Sequence, residues 1–338
     1  MKFNKLKKPY IIAEIGINHD GNFLKAKKLV FEAKKAGADA VKFQVFKPAT
    51  LEGEKPKKTK FQNITSEKKS LTNIWRKVSL NYNSLKKLRN YSAKISIDFI
   101  CTPFDFESLK LIKKLNLKAI KVASSDVTDI PLLLEISKLK KPVIMSTGMS
   151  NSKEIDHAIK TINNKNLALL HCVSLYPCEY YKANLNRISS LKKKFKKYVI
   201  GYSDHCKNFE ASIFALNLGA QIIEKHFTLN KYKIGLDHSL SADPRDLKII
   251  CDYAKTIKFL GGKNKITPSK NEIKYSKFSR KGIYVNKKIT KDHFIKKENL
   301  IIRRPQNMTK PELYSKLIGK KAKKNLNLNE SIILKNVY

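Results

Sequence analysis

Two histidines in the sequence have the setting of metal ligands. His205 lies in the segment SDHC and His226 in EKHF, and each follows a short apolar run of the kind that forms a buried strand. If the two runs are neighbouring strands of a parallel barrel, both imidazoles lie at its mouth. Two imidazoles with oxygen ligands completing the shell suit Mn, Zn or Fe, and leave positions open for a substrate carbonyl. The pairing favours a metal site over the alternative of two ordinary hydrogen-bonded histidines.

Two lysines indicate an anion site in the same region. Lys42 and Lys121 each interrupt an apolar run, where an unpaired ammonium costs on the order of several kcal/mol. With hydroxyl side chains from other runs they would form a cup for a phosphate and a carboxylate. The alternative is a structural ion pair with Glu14 or Glu224. The hydroxyl residues are Thr102, Ser124, Ser146 and Ser203.

Glu14 is a candidate catalytic carboxylate. It lies near the end of the first apolar run and just before the turn-rich segment GINHDG. A carboxylate at a barrel mouth can act as a base or hold a metal-bound water. The competing interpretation, that Glu14 is only the partner of Lys42, stays open at this point.

Eight short apolar runs alternate with amphipathic segments and must position these side chains. Apolar strands joined by helical crossovers form a parallel sheet, and eight repeats over about 250 residues match a (β/α)8 TIM barrel of the α/β class. The runs end in polar residues, and His171 is one of them. A barrel brings these residues together at one mouth, whereas the alternative, an open doubly wound sheet, leaves them in a row. The runs begin at Tyr10, Ala40, Ile97, Lys118, Pro142, Leu167, Tyr198 and Gln221.

The pattern changes after Gly262. We expect a barrel domain over 1–262, a polar linker over 263–280 and a small β-rich domain over 281–338. The last of these carries a faint internal repeat, in which ITKDHFIKKENL from Ile289 aligns with LNLNESIILKNV from Leu326.

The composition is strongly basic. The chain has 70 Lys plus Arg against 28 Asp plus Glu, a net charge of +42, which raises the question of a nucleic-acid partner. The basic residues are mostly lysines spread over the whole length, whereas a groove that reads bases favours arginine. We therefore expect neither a specific nucleic-acid partner nor, without a long apolar stretch, a membrane span. The five cysteines contain no C-x-x-C pair, which favours a reducing, cytoplasmic location.

The order and spacing of several motifs resemble those of the N-acetylneuraminate (sialic acid) synthase family. These motifs are AEIGINHDG, VKFQ, CTPFD, KVASSD, STGMS, LLHCVSLYP, GYSDH, EKHFT and GLDHSLSADP. The tail, with IIRRP and LIGKKA, resembles that family's C-terminal antifreeze-like (SAF, β-clip) domain. The resemblance extends over essentially the whole chain.

The resemblance implies a transferase that condenses phosphoenolpyruvate with N-acetylmannosamine or a close N-acyl hexosamine, releasing phosphate and forming N-acetylneuraminate. His205 and His226 would bind a divalent metal, commonly Mn²⁺ with Mg²⁺ as an alternative, and Glu14 would orient or deprotonate a water. The residues implied to bind phosphoenolpyruvate are Lys42, Thr102, Lys121, Ser124, Ser146, Ser174 and Ser203. Those implied to face the sugar are Gln44, Asp126, Tyr176, Asp237, Phe278 and Arg304.

The resemblance also implies a homodimer with swapped C-terminal domains, in which Arg304 reaches the N-acyl group of the partner's substrate. Two departures bear on the sugar. Ser125 and Asp126 replace a Gly-Glu pair common in bacterial members that use N-acetylmannosamine, and Ser174 replaces an Asn. We favour an N-acetylneuraminate synthase, with a legionaminate synthase acting on 2,4-diacetamido-2,4,6-trideoxymannose as the alternative and a pseudaminate synthase less favoured.

Overall fold

The computed structural model describes residues 2–49, 51, 53, 70–262, 264–306 and 308–338. The chain divides into two compact units, Met1–Gly262 and Lys263–Tyr338. Within the described ranges, no helix is both long and apolar enough to cross a bilayer.

The first unit is a closed barrel of eight parallel strands in sequence order, and β8 pairs with β1 to complete the ring. The predicted barrel is confirmed and the open sheet is excluded, because every strand pairs on both sides, whereas an open sheet has two edge strands that pair on one side only. The strands are β1 (Tyr10–Gly16), β2 (Ala40–Val45), β3 (Asp98–Pro103), β4 (Ile120–Val122), β5 (Val143–Ser146), β6 (Leu167–Cys172), β7 (Val199–Asp204) and β8 (Ile222–His226).

Helices connect the strands, and their ends follow local sequence signals. Asn22 caps the first long helix by accepting a hydrogen bond from the Lys25 backbone N–H at 2.9 Å, and Gly37 ends it in the left-handed region at φ 99°. The α-helices in the described part of this unit are Phe23–Ala36, Leu71–Val78, Tyr82–Lys94, Phe106–Lys113, Ile130–Lys138, Ser152–Ile162, Arg187–Lys194, Glu210–Asn217 and Pro244–Leu260. Short 3₁₀ helices lie at Phe3–Lys5, Ser124–Asp126, Tyr180–Lys182 and His238–Leu240.

Side chains alternate between the inside and the outside of the barrel, because successive residues of a strand point to opposite faces. Outward residues pack against the helices in the largest apolar cluster. Inward residues near the strand beginnings form a separate cluster that fills the barrel. Its members are Phe3, Tyr10, Ile12, Ala40, Ile100, Ala119, Ile144, Ala168, Leu170 and Ile222.

The second unit is small and built around one antiparallel pair, β9 (Gly282–Val285) with β10 (Leu300–Arg303). Ile289 and Leu326, which the internal repeat aligns, exchange backbone hydrogen bonds of 2.9 and 2.8 Å and belong to the unit's core. The segment interpreted as a linker contains the helix Lys270–Ser279. The other helices are Lys297–Asn299, Pro311–Leu313, Tyr314–Leu317 and Leu334–Asn336.

Gly201 tests how tightly the barrel interior is packed. A Cβ atom at this position would clash with the carbonyl oxygen of Ile222 and lie 2.5 Å from Leu170 Cδ2. We expect Gly201→Ala to lower the free energy of unfolding by about 1–3 kcal/mol, measured by urea denaturation. Gly261→Ala is the matched control, since the nearest atom to its added methyl is 3.6 Å away. Equal stability of the two variants would show that this layer can expand.

Candidate active site

The inward face of the barrel changes from apolar to charged near the carboxyl ends of the strands. The same two-residue period that places Ile12 in the core places Glu14 above it, and Lys42 follows Ala40 in the same way. The other inward polar side chains of this layer are Thr102, Lys121, Ser146, Ser203, Glu224 and His226, and like Glu14 and Lys42 they are buried.

Lys42 is surrounded by acceptors. Its Nζ lies 2.9 Å from Glu14 Oε2 and 3.9 Å from Glu224 Oε1, and it donates to Thr102 Oγ1 at 3.0 Å. Burial lowers the pKa of Lys42, but the attraction of Glu14 and Glu224 outweighs it and raises that pKa above its ordinary value. The ion pair with Glu14, one of the two sequence interpretations, is therefore present.

Lys121 has a different environment. Its Nζ donates to the carbonyl oxygen of Val122 and to Ser146 Oγ, both at 2.7 Å. Among the described residues no carboxylate forms an ion pair with it. Burial lowers the pKa of Lys121, and the attraction of Glu224 only partly opposes this effect. Lys121 is thus a buried cation without a direct counter-ion, which is the character of an anion-binding group.

Glu224 is the residue of this layer that sequence reasoning undervalued. From sequence it is a polar residue at the end of the eighth run and a partner for a lysine, and it is not among the predicted site residues. Its Oε1 accepts a hydrogen bond from Ser203 Oγ at 2.9 Å, and within the described chain its buried Oε2 has no hydrogen-bond partner. Burial raises the pKa of Glu224, but Lys121 and Lys42 lower it below its ordinary value. Its position two residues before His226 is the signal that could have placed it on the inner face.

The two histidines lie side by side at the barrel mouth. Their ring centroids are 5.3 Å apart, and the ring of Tyr176 lies 4.2 Å from that of His205. His205 Nδ1 contacts the carbonyl oxygen of Val173 at 2.8 Å, and His226 Nδ1 lies 3.3 Å from Asp237 Oδ2. Burial raises the pKa of Asp237, but His226 and His205 lower it below its usual value.

The histidine pair fits the chemistry of a divalent metal. Histidines that ligate a metal usually direct the other ring nitrogen to a carbonyl or carboxylate. His205 Nδ1 does so toward the Val173 carbonyl oxygen, whereas His226 Nδ1 lies 3.3 Å from Asp237 Oδ2 and forms no hydrogen bond among the described residues. The described residues contain no group of three or more His, Cys, Asp and Glu side chains arranged to hold a metal ion. A cation here would therefore have two imidazole ligands, and water or substrate oxygens would complete its shell.

A second set of polar side chains lies on the loops that follow β4, β5 and β6. Ser124 Oγ accepts a hydrogen bond from the Gly148 N–H at 3.0 Å, and a Cβ added at Gly148 would lie 2.5 Å from Ser174 Oγ. The loop STGMS thus needs glycine where these two hydroxyls meet. Within the described ranges Ser174 Oγ has no hydrogen-bond partner.

Asp126 is a buried carboxylate with an unused oxygen. Its Oδ1 accepts from Ser125 Oγ at 2.8 Å, and among the described residues its Oδ2 has no hydrogen-bond partner. Burial raises the pKa of Asp126 to about 6. The side chain is thus an acceptor, or when protonated a donor, that lacks a partner on one side.

One residue predicted at the mouth, His171, is not part of this arrangement. His171 faces outward, where its Nε2 contacts the carbonyl oxygen of Ala183 at 2.7 Å, so its expected convergence at the mouth is wrong. The reason is the two-residue period, which turns His171 away and Cys172 inward. Phe278 and Arg304 belong to the second unit, where both are exposed. Gln44, by contrast, donates to Glu14 Oε1 at 2.9 Å.

Comparisons with known proteins agree on one family. A model described as "NeuB family" matches residues 29–265. The chain is 39% identical over 333 residues to N,N'-diacetyllegionaminic acid synthase of Campylobacter jejuni, covering 97% of this chain and 99% of that protein. It is 33% identical over 336 residues to the protein of the same name from Legionella pneumophila, covering 97% and 94%. A crystal structure of N-acetylneuraminic acid synthetase from Leptospira borgpetersenii superposes with a TM-score of 0.69 at 33% identity, covering 80% of this chain and 91% of that one.

The two buried lysines should respond differently to removal of their charge. Lys42→Met leaves Glu14 without its ion-pair partner, so we expect a loss of about 3–5 kcal/mol in the free energy of unfolding. Lys121→Met removes an ammonium that lacks a direct counter-ion, so we expect a change of less than about 1 kcal/mol. Urea denaturation of both variants measures the contrast. Equal losses would show that a carboxylate neutralises Lys121 in solution.

Asp126 should make stability depend on pH. Its pKa of about 6 in the folded protein lies above the ordinary 3.8, so the folded state binds the proton more tightly and this stabilisation is lost as pH rises through about 6. Between about pH 5 and about pH 7 the wild type should lose about 1 kcal/mol relative to Asp126→Asn, which cannot titrate. Parallel stability curves for the two proteins would contradict the raised pKa.

Proposed function

Because the chain belongs to the NeuB family, whose members condense phosphoenolpyruvate with sugar substrates, we propose that it forms a nine-carbon 2-keto acid from phosphoenolpyruvate and 2,4-diacetamido-2,4,6-trideoxymannose. The sequence motifs alone favour N-acetylmannosamine. The trideoxy sugar is better supported, because two proteins called legionaminic acid synthases match nearly the whole chain at 39% and 33% identity. N-acetylmannosamine is the second candidate, supported by the similarity to the Leptospira synthetase.

One observation carries the proposal. Lys121, a buried cation without a direct counter-ion, lies in the same inward layer as Lys42 and the paired imidazoles. Phosphoenolpyruvate carries a phosphate and a carboxylate, which are the anions that two lysines and several hydroxyls can bind. Thr102, Ser124, Ser146, Ser174 and Ser203 are the proposed hydroxyl partners.

In the proposed reaction, C3 of phosphoenolpyruvate forms a bond to the aldehyde carbon of the open-chain sugar, and the aldehyde oxygen takes up a proton. Water then adds at C2 and gives up a proton to Glu14. Collapse of this adduct breaks the bond between C2 and the phosphate oxygen while the C2 hydroxyl gives up its proton to the departing phosphate, leaving a keto group and inorganic phosphate. Glu14 suits the role because Lys42 and Gln44 hold its two oxygens in place, at 2.9 Å each.

A divalent cation held by His205 and His226 supplies Lewis acidity to the sugar carbonyl when bound, and Mn²⁺ is our first choice with Mg²⁺ as the alternative. The Val173 carbonyl fixes the orientation of the His205 ring, and the Asp237 carboxylate lies beside the His226 ring. Tyr176, packed against His205, limits access of water to this end of the site.

Asp126, Gln44, Tyr176 and Asp237 are the proposed sugar-facing residues of the barrel. Asp126 Oδ2 needs a donor, and an amide N–H or hydroxyl of the sugar can supply one. Phe278, Arg304 and a dimer with swapped C-terminal domains stay predictions drawn from the family resemblance.

The proposal is tested by phosphate release from phosphoenolpyruvate with Mn²⁺ and a panel of sugars. We expect release with the 2,4-diacetamido trideoxy sugar to exceed release with N-acetylmannosamine by at least about tenfold. The reason is that protein groups arranged to bind a second amide lack a matching partner when the sugar carries a hydroxyl at that position. His226→Ala should abolish release, because it removes half of the imidazole pair.

His157→Ala, which removes an exposed histidine on a helix, is the matched control and should retain activity. Unchanged release in His226→Ala would refute the role of the imidazoles. A preference for N-acetylmannosamine would refute the choice of sugar but not the reaction, and activity with a phosphorylated aldose alone would refute both sugars.

A further inference from the structure

An ion pair lies directly behind the two histidines, on the outer side of the barrel wall. Asp204 Oδ2 and Lys225 Nζ are 3.3 Å apart, and both side chains are completely buried. The two residues face each other across β7 and β8. Each immediately precedes one of the histidines, so the pair and the imidazoles occupy adjacent positions on opposite sides of the same two strands.

The pair holds the backbone around His205. Asp204 Oδ1 accepts from the Cys206 N–H at 2.8 Å, and Lys225 Nζ donates to the Cys206 carbonyl oxygen. Asp204 Oδ2 also accepts from Ser212 Oγ, at 2.6 Å, on the helix Glu210–Asn217. The His205 carbonyl oxygen accepts from the Cys178 N–H at 2.9 Å. His205 therefore lies between Asp204 and Cys206, and both of these residues bind Lys225 of the neighbouring strand.

Stability alone does not account for this arrangement. A buried ion pair is a poor source of stability, because apolar residues of similar volume often do as well or better. Many other outward positions of the described strands carry such residues, for example Ile15, Val45 and Val122. At this position a charged pair forms directed hydrogen bonds to the backbone. Apolar side chains cannot form such bonds and could not hold the backbone in place.

We propose that Asp204 and Lys225 are positioning residues that set the spacing and orientation of the His205 and His226 imidazoles for a divalent cation. The inference rests on the proposed function, since it presumes that the imidazoles bind a metal. Lys225, on β8, donates to the carbonyl oxygen of Cys206, the residue after His205. A shift of the end of β8 therefore moves the imidazole of His205 as well as that of His226. Both side chains lie on the outer face of the barrel wall, opposite the inward charged layer.

The test separates positioning from stability through a double variant. Asp204→Asn with Lys225→Met removes both charges together, so no buried charge is left uncompensated and the fold should survive. Its Mn²⁺ affinity, measured from the electron paramagnetic resonance signal of free Mn²⁺, should fall by about 10-fold or more, as is usual when partners of metal-ligating residues are changed. Phosphate release should fall in parallel and recover in part at high Mn²⁺ concentration.

Tyr10→Phe is the control for loss of a buried polar contact. It removes the 2.8 Å hydrogen bond from Tyr10 to Asp98 at the opposite end of the barrel, and should leave Mn²⁺ affinity unchanged. Ser212→Ala, which keeps both charges and removes one hydrogen bond to Asp204, should weaken Mn²⁺ binding by about threefold.

The outcomes distinguish this inference from the proposed function. Wild-type Mn²⁺ affinity in a folded double variant overturns the inference alone. If the double variant does not fold, unchanged affinity in Ser212→Ala overturns it. A wild-type protein that neither binds Mn²⁺ nor releases phosphate overturns the proposed function and this inference together.

Discussion

Closure of the barrel is the constraint on which the rest of the structure depends. Pairing of β8 with β1 brings Glu14 level with His226, although 211 positions separate them along the chain. Closure also fixes which side chains face inward, because each strand can alternate only between two faces. The apolar filling near the strand beginnings and the charged layer above it are thus two halves of one pattern.

The charged layer combines two kinds of buried cation. Lys42 is neutralised by Glu14, whereas Lys121 is stabilised by two uncharged acceptors and by a more distant Glu224. A wholly neutralised pair of lysines would bind anions weakly, and two unbalanced lysines would strain the fold. The observed combination is intermediate between these two cases.

Much of the fold and site followed from sequence, because apolar runs and their polar ends are set by local chemistry. The barrel, the inward direction of Lys42 and Lys121, and the pairing of His205 with His226 were of this kind. The direction of His171 was predicted wrongly, because an apolar run alone does not show which of its alternate residues face the inside of the barrel. Glu224 was undervalued because a carboxylate inside an apolar run resembles a structural ion partner. The choice of sugar depends on a few loop side chains such as Asp126, whose partners no periodicity reveals.

The incomplete neutralisation of Lys121 links ligand binding to folding. If the proposed anion binds at Lys121, it supplies a counter-charge that no described carboxylate provides at ion-pair distance, so part of its binding free energy offsets the cost of burying the ammonium. A ligand that binds only the native state adds to the stability of that state in proportion to the logarithm of its concentration. The barrel would therefore be most stable against unfolding when the anion is bound, and its stability would increase with the substrate concentration.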